Sequence, residues 1–186
     1  MMEMGKYRLD RLDSLLLIID LQDKLLKAMK YRDSVVKNTS LLLKLARETG
    51  LPVLVTEQNP RGLGPTVTEI KENFPEGTEV VEKMSFTACT LETRKALFAY
   101  DRPKIIVTGT ETHVCVYQTV RDLLENGYTV HVVEDAICSR FKQNYRSGLE
   151  LMKQMGAVIT NAETIFFDIL KTSGTPEFKA LSPLLK

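Results

Sequence analysis

Runs of consecutive apolar residues alternate with amphipathic segments along most of the chain. Residues 15–19 (Leu-Leu-Leu-Ile-Ile) contain no polar position, and Asp20 follows them directly. An unbroken apolar run of this length is typical of a strand that is covered on both faces. Similar runs predict five more strands, at residues 52–56, 79–83, 104–108, 128–133 and 157–160.

In the segments between these strands, apolar residues recur with the periodicity of a helix. Residues 34–48 place Val35, Leu42 and Ala46 on one face of a predicted helix, and Gly50 is a suitable cap at its end. More helices are predicted from Thr90, around Cys115, and at residues 145–152 and 162–171. The alternation is typical of parallel βαβ units. It predicts a six-stranded parallel sheet with helices on both faces, a three-layer α/β/α sandwich.

We interpret residues 1–186 as a single domain with a core at about residues 13–171 and a tail at residues 172–186. The irregular segment at residues 57–66 contains two prolines and two glycines, and long ordered loops inside compact domains are often functional. The tail, with Pro176 and Pro183, is interpreted either as an arm that packs on another subunit or as a frayed end.

Composition narrows the possible classes of protein. The 186 residues include 25 basic and 24 acidic side chains and 44% hydrophobic residues, which is ordinary for a globular protein. No basic stripe supports nucleic-acid binding. The apolar runs are too short to cross a bilayer, and the first ten residues lack the apolar stretch of a signal peptide. We therefore expect a cytoplasmic protein without nucleic-acid or membrane partners.

The three cysteines, Cys89, Cys115 and Cys138, form no Cys-x-x-Cys pair. Zinc and dithiol motifs are thus absent, and an odd number of cysteines in a reducing compartment suggests free thiols. With two histidines in the chain, a histidine-rich metal site is excluded. We predict that the protein uses neither a metal nor another cofactor.

Three chemically active side chains follow strands of the predicted sheet. Asp20 comes after the first strand, Lys83 ends the third, and Cys115 lies shortly after the fourth. Ligands of open parallel sheets bind outside the carboxyl ends of the strands, so all three belong to one edge. Each residue alone has an ordinary explanation as a surface lysine, a turn aspartate or a core cysteine. Their joint placement indicates an enzyme.

Asp20, Lys83 and Cys115, called the trio below, have complementary chemical roles. A helix N-terminus and a nearby ammonium each favour a thiolate, so we expect the thiolate of Cys115 to be a major species. Asp20 is the candidate base that accepts a proton and orients water. His113 is the rival base, but residues two apart on a helix do not face each other. His131 is interpreted as a packed strand residue.

Three motifs, at residues 17–22, 82–86 and 109–116, resemble those of the isochorismatase-like cysteine hydrolases. The segment Thr-Glu-Gln-Asn-Pro-Arg-Gly-Leu-Gly-Pro-Thr at residues 56–66 is similar to the "isochorismatase domain-containing" subgroup. The resemblance covers about residues 15–170. It implies a sheet of order 3-2-1-4-5-6 and a catalytic triad of Asp20, Lys83 and Cys115.

The resemblance also implies a cis peptide bond at Thr110–Glu111. The main-chain N–H groups of Glu111 and Cys115 would then form an oxyanion hole. The histidines with which nicotinamidases of this family bind a metal are missing from residues 56–66, which disfavours that activity.

Our leading hypothesis is a hydrolase that cleaves a C–N bond of a small amide or carbamoyl compound through an acyl-thioester on Cys115. Gln22, Gln58, Phe86 and Thr112 are candidate pocket residues. We expect a homo-oligomer, a dimer or larger. The alternatives are a catalytically silent oligomeric binding or scaffold protein that keeps the fold, and a thiol redox sensor.

Overall fold

The computed structural model describes residues 4–185. Six strands form one parallel sheet in the order β3-β2-β1-β4-β5-β6, which confirms the predicted topology. The strands are β1 (Ser14–Ile19), β2 (Val53–Gln58), β3 (Glu79–Lys83), β4 (Lys104–Thr110), β5 (Thr129–Cys138) and β6 (Val158–Thr160).

Helices cover both faces of the sheet. They are α1 (Asp23–Lys27), α2 (Arg32–Thr49), α3 (Pro60–Leu63), α4 (Thr68–Lys71), α5 (Leu91–Tyr100), α6 (Tyr117–Glu125), α7 (Lys142–Gln154), α8 (Ala162–Leu170) and α9 (Pro176–Leu181). Short 3-10 turns span Met4–Tyr7 and Ser182–Leu185, and a π-helical turn spans Thr112–Val116. No helix within residues 4–185 has the length and hydrophobicity to cross a membrane.

The central strand β1 is buried throughout, because alternate side chains enter opposite core layers. Leu16 and Ile18 pack with α2 and α8, whereas Leu15, Leu17 and Ile19 pack with α5, α6 and α7. This two-sided burial explains why the run contains no polar position until Asp20.

Strand β4 passes unusually close to β1 beside the carboxyl edge. Gly109 is paired with Ile19, and its φ of 127° lies in the region that favours glycine. A Cβ atom at this position would lie 2.0 Å from the carbonyl oxygen of Ile19. Glycine therefore allows the segment that leads to Cys115 to lie directly against the end of β1.

Two segments differ from their sequence-based description. Strand β5 continues beyond Val133 to Cys138, with an irregular register between the pairs Val107–Val132 and Gly109–Ile137. The tail is not a frayed end, and its packing on another subunit stays a prediction. It forms α9 and a 3-10 turn, and Leu181 enters the core layer beneath α2 and α8 at 3% exposure.

Because Leu181 anchors this tail, Leu181→Ala should lower the free energy of unfolding by about 2–3 kcal/mol, through lost burial and the cavity left behind. Denaturant unfolding of both proteins measures the difference. Leu151→Ala is the matched control, since Leu151 is 43% exposed, and it should have a much smaller effect. Equal destabilisation by the two substitutions would show that the tail contributes no core packing.

Candidate active site

Asp20 and Lys83 form a buried ion pair at the carboxyl edge of the sheet. Lys83 Nζ lies 2.6 Å from Asp20 Oδ2, and neither side chain is exposed. Strand β2 lies between β1 and β3, and the long side chain of Lys83 reaches across the end of β2 to form the pair.

Asp20 is held on every side. Its φ is 52°, and its main-chain N–H donates to the carbonyl of Thr56 over 3.1 Å. The Thr56 hydroxyl donates to Asp20 Oδ1 over 2.8 Å, and the Thr110 hydroxyl donates to the Asp20 carbonyl over 2.8 Å. Neighbouring strands on both sides thus orient this carboxylate.

The ammonium of Lys83 has four acceptors around it. Besides Asp20, it lies 2.9 Å from Gln58 Oε1, 3.1 Å from the carbonyl of Phe86 and 3.2 Å from that of Ser85. The segment after β3 therefore folds back over its own lysine. A buried ammonium needs such partners because burial of an unpaired charge is strongly unfavourable.

Cys115 lies in the π-helical turn that precedes α6, and the residue is 6% exposed. Its sulfur interacts with Asp20 and with the main-chain N–H of Glu111, and it lies 4.0 Å from Gln58 Oε1. The Thr119 hydroxyl donates to the Cys115 carbonyl over 2.6 Å, which ties the turn to α6. Single π turns inside helices occur frequently at functional sites.

The electrostatics correct one expectation from the sequence. Burial, together with the negative charge of Asp20, raises the pKa of Cys115 to about 12, and Lys83 and the Glu111 N–H oppose this shift only in part. The expectation that the thiolate is a major species at rest is therefore wrong. Burial also raises the pKa of Asp20, against the influence of Lys83 and the Thr56 hydroxyl. The resting centre holds a protonated thiol beside a base that is stronger than an ordinary aspartate.

The peptide bond between Thr110 and Glu111 is cis. The Glu111 carboxylate accepts hydrogen bonds from the main-chain N–H of Arg140 over 3.0 Å and from its Nε over 3.2 Å. Arg140 lies two residues after the end of β5, so this pair connects the residue before the π turn to the segment that follows the neighbouring strand.

The model of the isochorismatase domain matches residues 14–164. The chain belongs to the isochorismatase family. Members of this family are hydrolases, generally cysteine hydrolases. A curated relative, isochorismatase family protein 1A of Dictyostelium discoideum, is 39% identical over 92% of this chain and 85% of its own length.

Solved structures of this fold include functionally varied proteins. The MAR1 ribonuclease from Caenorhabditis elegans superposes with a TM-score of 0.91 at 36% identity, covering 96% of this chain and 92% of its own. YcaC of Escherichia coli, described as an octameric hydrolase of unknown specificity, gives 0.88 at 27% identity and covers 95% and 90%. YcaC of Pseudomonas aeruginosa, solved with hexane-2,5-diol and covalent acrylamide, gives 0.88 at 27% and covers 95% and 91%.

The four candidate pocket residues of this isochorismatase-family chain have different surroundings. Phe86 is 56% exposed, whereas Gln22 and Thr112 are completely buried. Gln22 uses its amide to bind the main chain of Gln58 and Gly64. The buried Thr112 hydroxyl has no hydrogen-bond partner among the described residues. Gln58 lies directly between the ammonium and the thiol.

The two histidines serve other contacts. His113 Nδ1 lies 3.0 Å from the Ser139 hydroxyl, and its Nε2 lies 3.2 Å from Asn144 Nδ2, so the ring connects the π turn to the end of β5 and to α7. His131 Nε2 lies 2.9 Å from the carbonyl of Lys6. Residues 4–185 contain no group of three or more histidine, cysteine, aspartate or glutamate residues arranged to hold a metal.

Sequence reasoning missed the hydrogen bonds by which four side chains orient the trio and the neighbouring Glu111: those of Thr56, Thr110, Thr119 and Arg140. Two of them carried a weak signal, because Thr56 and Thr110 are polar residues next to the carboxyl ends of apolar runs. Thr119 and Arg140 have no distinguishing pattern, since their partners are set by the packing of α6 and β5 against the turn.

Proposed function

We propose that this member of the isochorismatase family hydrolyses a C–N bond of a small amide or carbamoyl compound, with Asp20, Lys83 and Cys115 as catalytic residues. The observation that carries the proposal is the buried Asp20–Lys83 pair beside Cys115: Lys83 Nζ lies 2.6 Å from Asp20 Oδ2 and 2.9 Å from Gln58 Oε1, and that oxygen lies 4.0 Å from Cys115 Sγ. A nucleophile, a base and a charge that orients the base are the components of covalent acyl transfer.

In the first half-reaction, Cys115 Sγ attacks the carbonyl carbon while its proton moves to Asp20. Proton transfer accompanies the attack because the resting thiol is protonated. The main-chain N–H groups of Glu111 and Cys115 stabilise the negative oxygen that develops. The intermediate collapses as Asp20 returns the proton to the leaving nitrogen, which departs as ammonia or an amine and leaves a thioester.

In the second half-reaction, Asp20 accepts a proton from a water molecule that attacks the thioester carbonyl. The C–S bond breaks, the sulfur recovers the proton, and the acid is released. Lys83 stays protonated throughout and stabilises the Asp20 carboxylate between proton transfers. The low exposure of Cys115 favours small substrates, with the exposed Phe86 as a pocket wall, whereas the fully buried Thr112 lies behind the accessible surface.

The YcaC structure with covalent acrylamide supports a reactive nucleophile in a protein of this fold, because acrylamide is an electrophile that nucleophilic side chains attack. We further propose a homo-oligomer, which the octameric Escherichia coli relative supports, and a cytoplasmic location. Light scattering on the purified protein measures its mass in solution, and a monomer would contradict the first of these proposals.

A screen of small primary amides and carbamoyl compounds tests the function. Wild-type protein should release ammonia from at least one compound and show a matching acyl mass increment, and Cys115→Ala should show neither. Cys138→Ala is the matched control, because Cys138 is a second buried thiol in the opposite core layer and should be dispensable. Turnover that survives in Cys115→Ala would contradict Cys115 as the nucleophile, and no turnover and no adduct across the screen would favour the silent binding protein.

The ribonuclease name of the Caenorhabditis elegans neighbour makes labelled RNA a separate arm of this screen. The nearly balanced charge of the chain, 25 basic against 24 acidic residues, gives no electrostatic support to RNA binding. We therefore expect no cleavage of RNA. Cleavage by the wild type, lost in Cys115→Ala, would replace the amide proposal with phosphodiester chemistry at the same residues.

A further inference from the structure

The side-chain oxygen of Gln58 lies between two catalytic groups. Gln58 Oε1 is 2.9 Å from Lys83 Nζ and 4.0 Å from Cys115 Sγ. An amide oxygen has two acceptor sites, so it can accept a hydrogen from the ammonium and one from the thiol together. Gln58 is 9% exposed and lies in a centre otherwise formed by charged groups.

The hydrogen-bond network determines which way this amide points. Gln58 Nε2 donates to the carbonyl of Met84 over 2.8 Å, while Oε1 faces Lys83. A lysine ammonium only donates and a carbonyl only accepts. The reversed amide would direct N–H groups at the ammonium and an oxygen at the carbonyl, which is unfavourable at both ends.

The main chain of Gln58 is fixed by a second amide. The Gln58 N–H donates to Gln22 Oε1 over 2.7 Å, and Gln22 Nε2 donates to the Gln58 carbonyl over 3.0 Å. Gln22 Nε2 also donates to the carbonyl of Gly64 over 2.6 Å. The fully buried Gln22 thus holds the last residue of β2 and the loop after it in one arrangement.

Gln58 is neutral, and this matters because the surrounding charges already balance. The titratable groups that face the thiol are Asp20 after β1 and Lys83 at the end of β3. Glu111, on the approach to the π turn, has its carboxylate paired with Arg140. A second carboxylate at position 58 would compete with Asp20 for the ammonium and would disfavour a negative sulfur.

We propose that Gln58 is a positioning residue whose amide oxygen orients the Lys83 ammonium and gives the Cys115 thiol a neutral acceptor until the proton moves to Asp20. In this role Gln58 stabilises the protonated thiol, and Gln22 holds Gln58 in place. This role requires no contact of either amide with the substrate. The inference rests on the proposed function only in taking Cys115 as the nucleophile.

Alkylation of Cys115 by iodoacetamide tests this role without a known substrate. The rate is measured for Cys115 by peptide mass spectrometry from pH 7 to pH 9. Gln58→Glu should slow alkylation at least tenfold at each pH, the change that one pKa unit produces below the pKa. Gln58→Met has a similar size but no acceptor oxygen, so its rate should equal or exceed that of the wild type.

The two variants separate electrostatics from loss of structure. A disturbed turn would expose the thiol and speed alkylation in both. Slower alkylation in Gln58→Glu together with an equal or faster rate in Gln58→Met supports the proposal, and any other pair of results overturns it. Gln154→Glu makes the same charge change at the end of α7 and should stay within twofold of the wild type. Amide hydrolysis in the substrate screen tests the proposed function independently.

Discussion

Replacing Lys83 with methionine is expected to lower the free energy of unfolding by about 3–5 kcal/mol at pH 7. Neither side chain of the Asp20–Lys83 pair is exposed, so solvent does not screen the remaining carboxylate. The variant leaves that carboxylate without its ammonium in the interior, where an uncompensated charge is strongly destabilising. Methionine keeps most of the volume of the lysine stem, so charge is the main change. Denaturant unfolding of the two proteins measures the effect.

The loss of unfolding free energy in Lys83→Met relative to the wild type should become smaller as the pH falls. Burial raises the pKa of Asp20, and Lys83 opposes that rise. Without Lys83, the folded-state pKa lies still further above the unfolded value. A group of this kind contributes its full stability below the unfolded pKa, and the contribution is lost as the pH rises through the folded pKa. The difference between variant and wild type should therefore be smaller at pH 5 than at pH 8.

Two further variants check that the buried charge of Asp20 is responsible for the lower stability of Lys83→Met. Lys27→Met removes the ammonium from an exposed pair with Asp23 that is 2.8 Å long, and should change stability by less than about 1 kcal/mol. The double variant Asp20→Asn/Lys83→Met has no charge left in the centre and should recover a substantial part of the loss. Equal deficits at pH 5 and pH 8 would contradict a charged carboxylate in the folded Lys83→Met variant.

The fold was the most predictable property of this chain, because its strands are continuous apolar runs. Residues 15–19 and 79–83 were assigned as strands from pattern alone, and they form β1 and β3 as expected. The end of β5 was missed because Glu134 and Asp135 interrupt its apolar pattern. These polar residues lie where the register with β4 becomes irregular.

The centre was predictable only in part. Strand ends indicated which edge carries Asp20, Lys83 and Cys115, because all parallel strands end on the same side. The contact between Gln22 and Gln58 joins residues 36 positions apart, and no periodic pattern in the sequence indicates it. The pKa of Cys115 was mistaken because a sequence names the neighbouring charges but does not give the burial of the sulfur, which raises the pKa most.

Asp20→Asn should change two rates of the same protein in opposite directions. Loss of the base should lower turnover of the hydrolysed amide by about 10²–10⁴-fold. The substitution also removes a negative charge that raises the pKa of Cys115 and leaves Lys83, which lowers it. The thiol pKa then falls, and the thiolate fraction at pH 8 rises about tenfold for each pKa unit. Alkylation of Cys115 should accordingly become faster while turnover becomes slower.

Asparagine suits this comparison because it tolerates the positive φ of 52° at position 20 and keeps an acceptor for the Thr56 hydroxyl. Asp33→Asn, in which a 96% exposed side chain loses the same charge, should leave both rates unchanged. Slower turnover with unchanged alkylation would mean that Asp20 holds the turn in place without affecting the pKa of the Cys115 thiol. Faster alkylation with full turnover would mean that a base other than Asp20 accepts the thiol proton during the reaction.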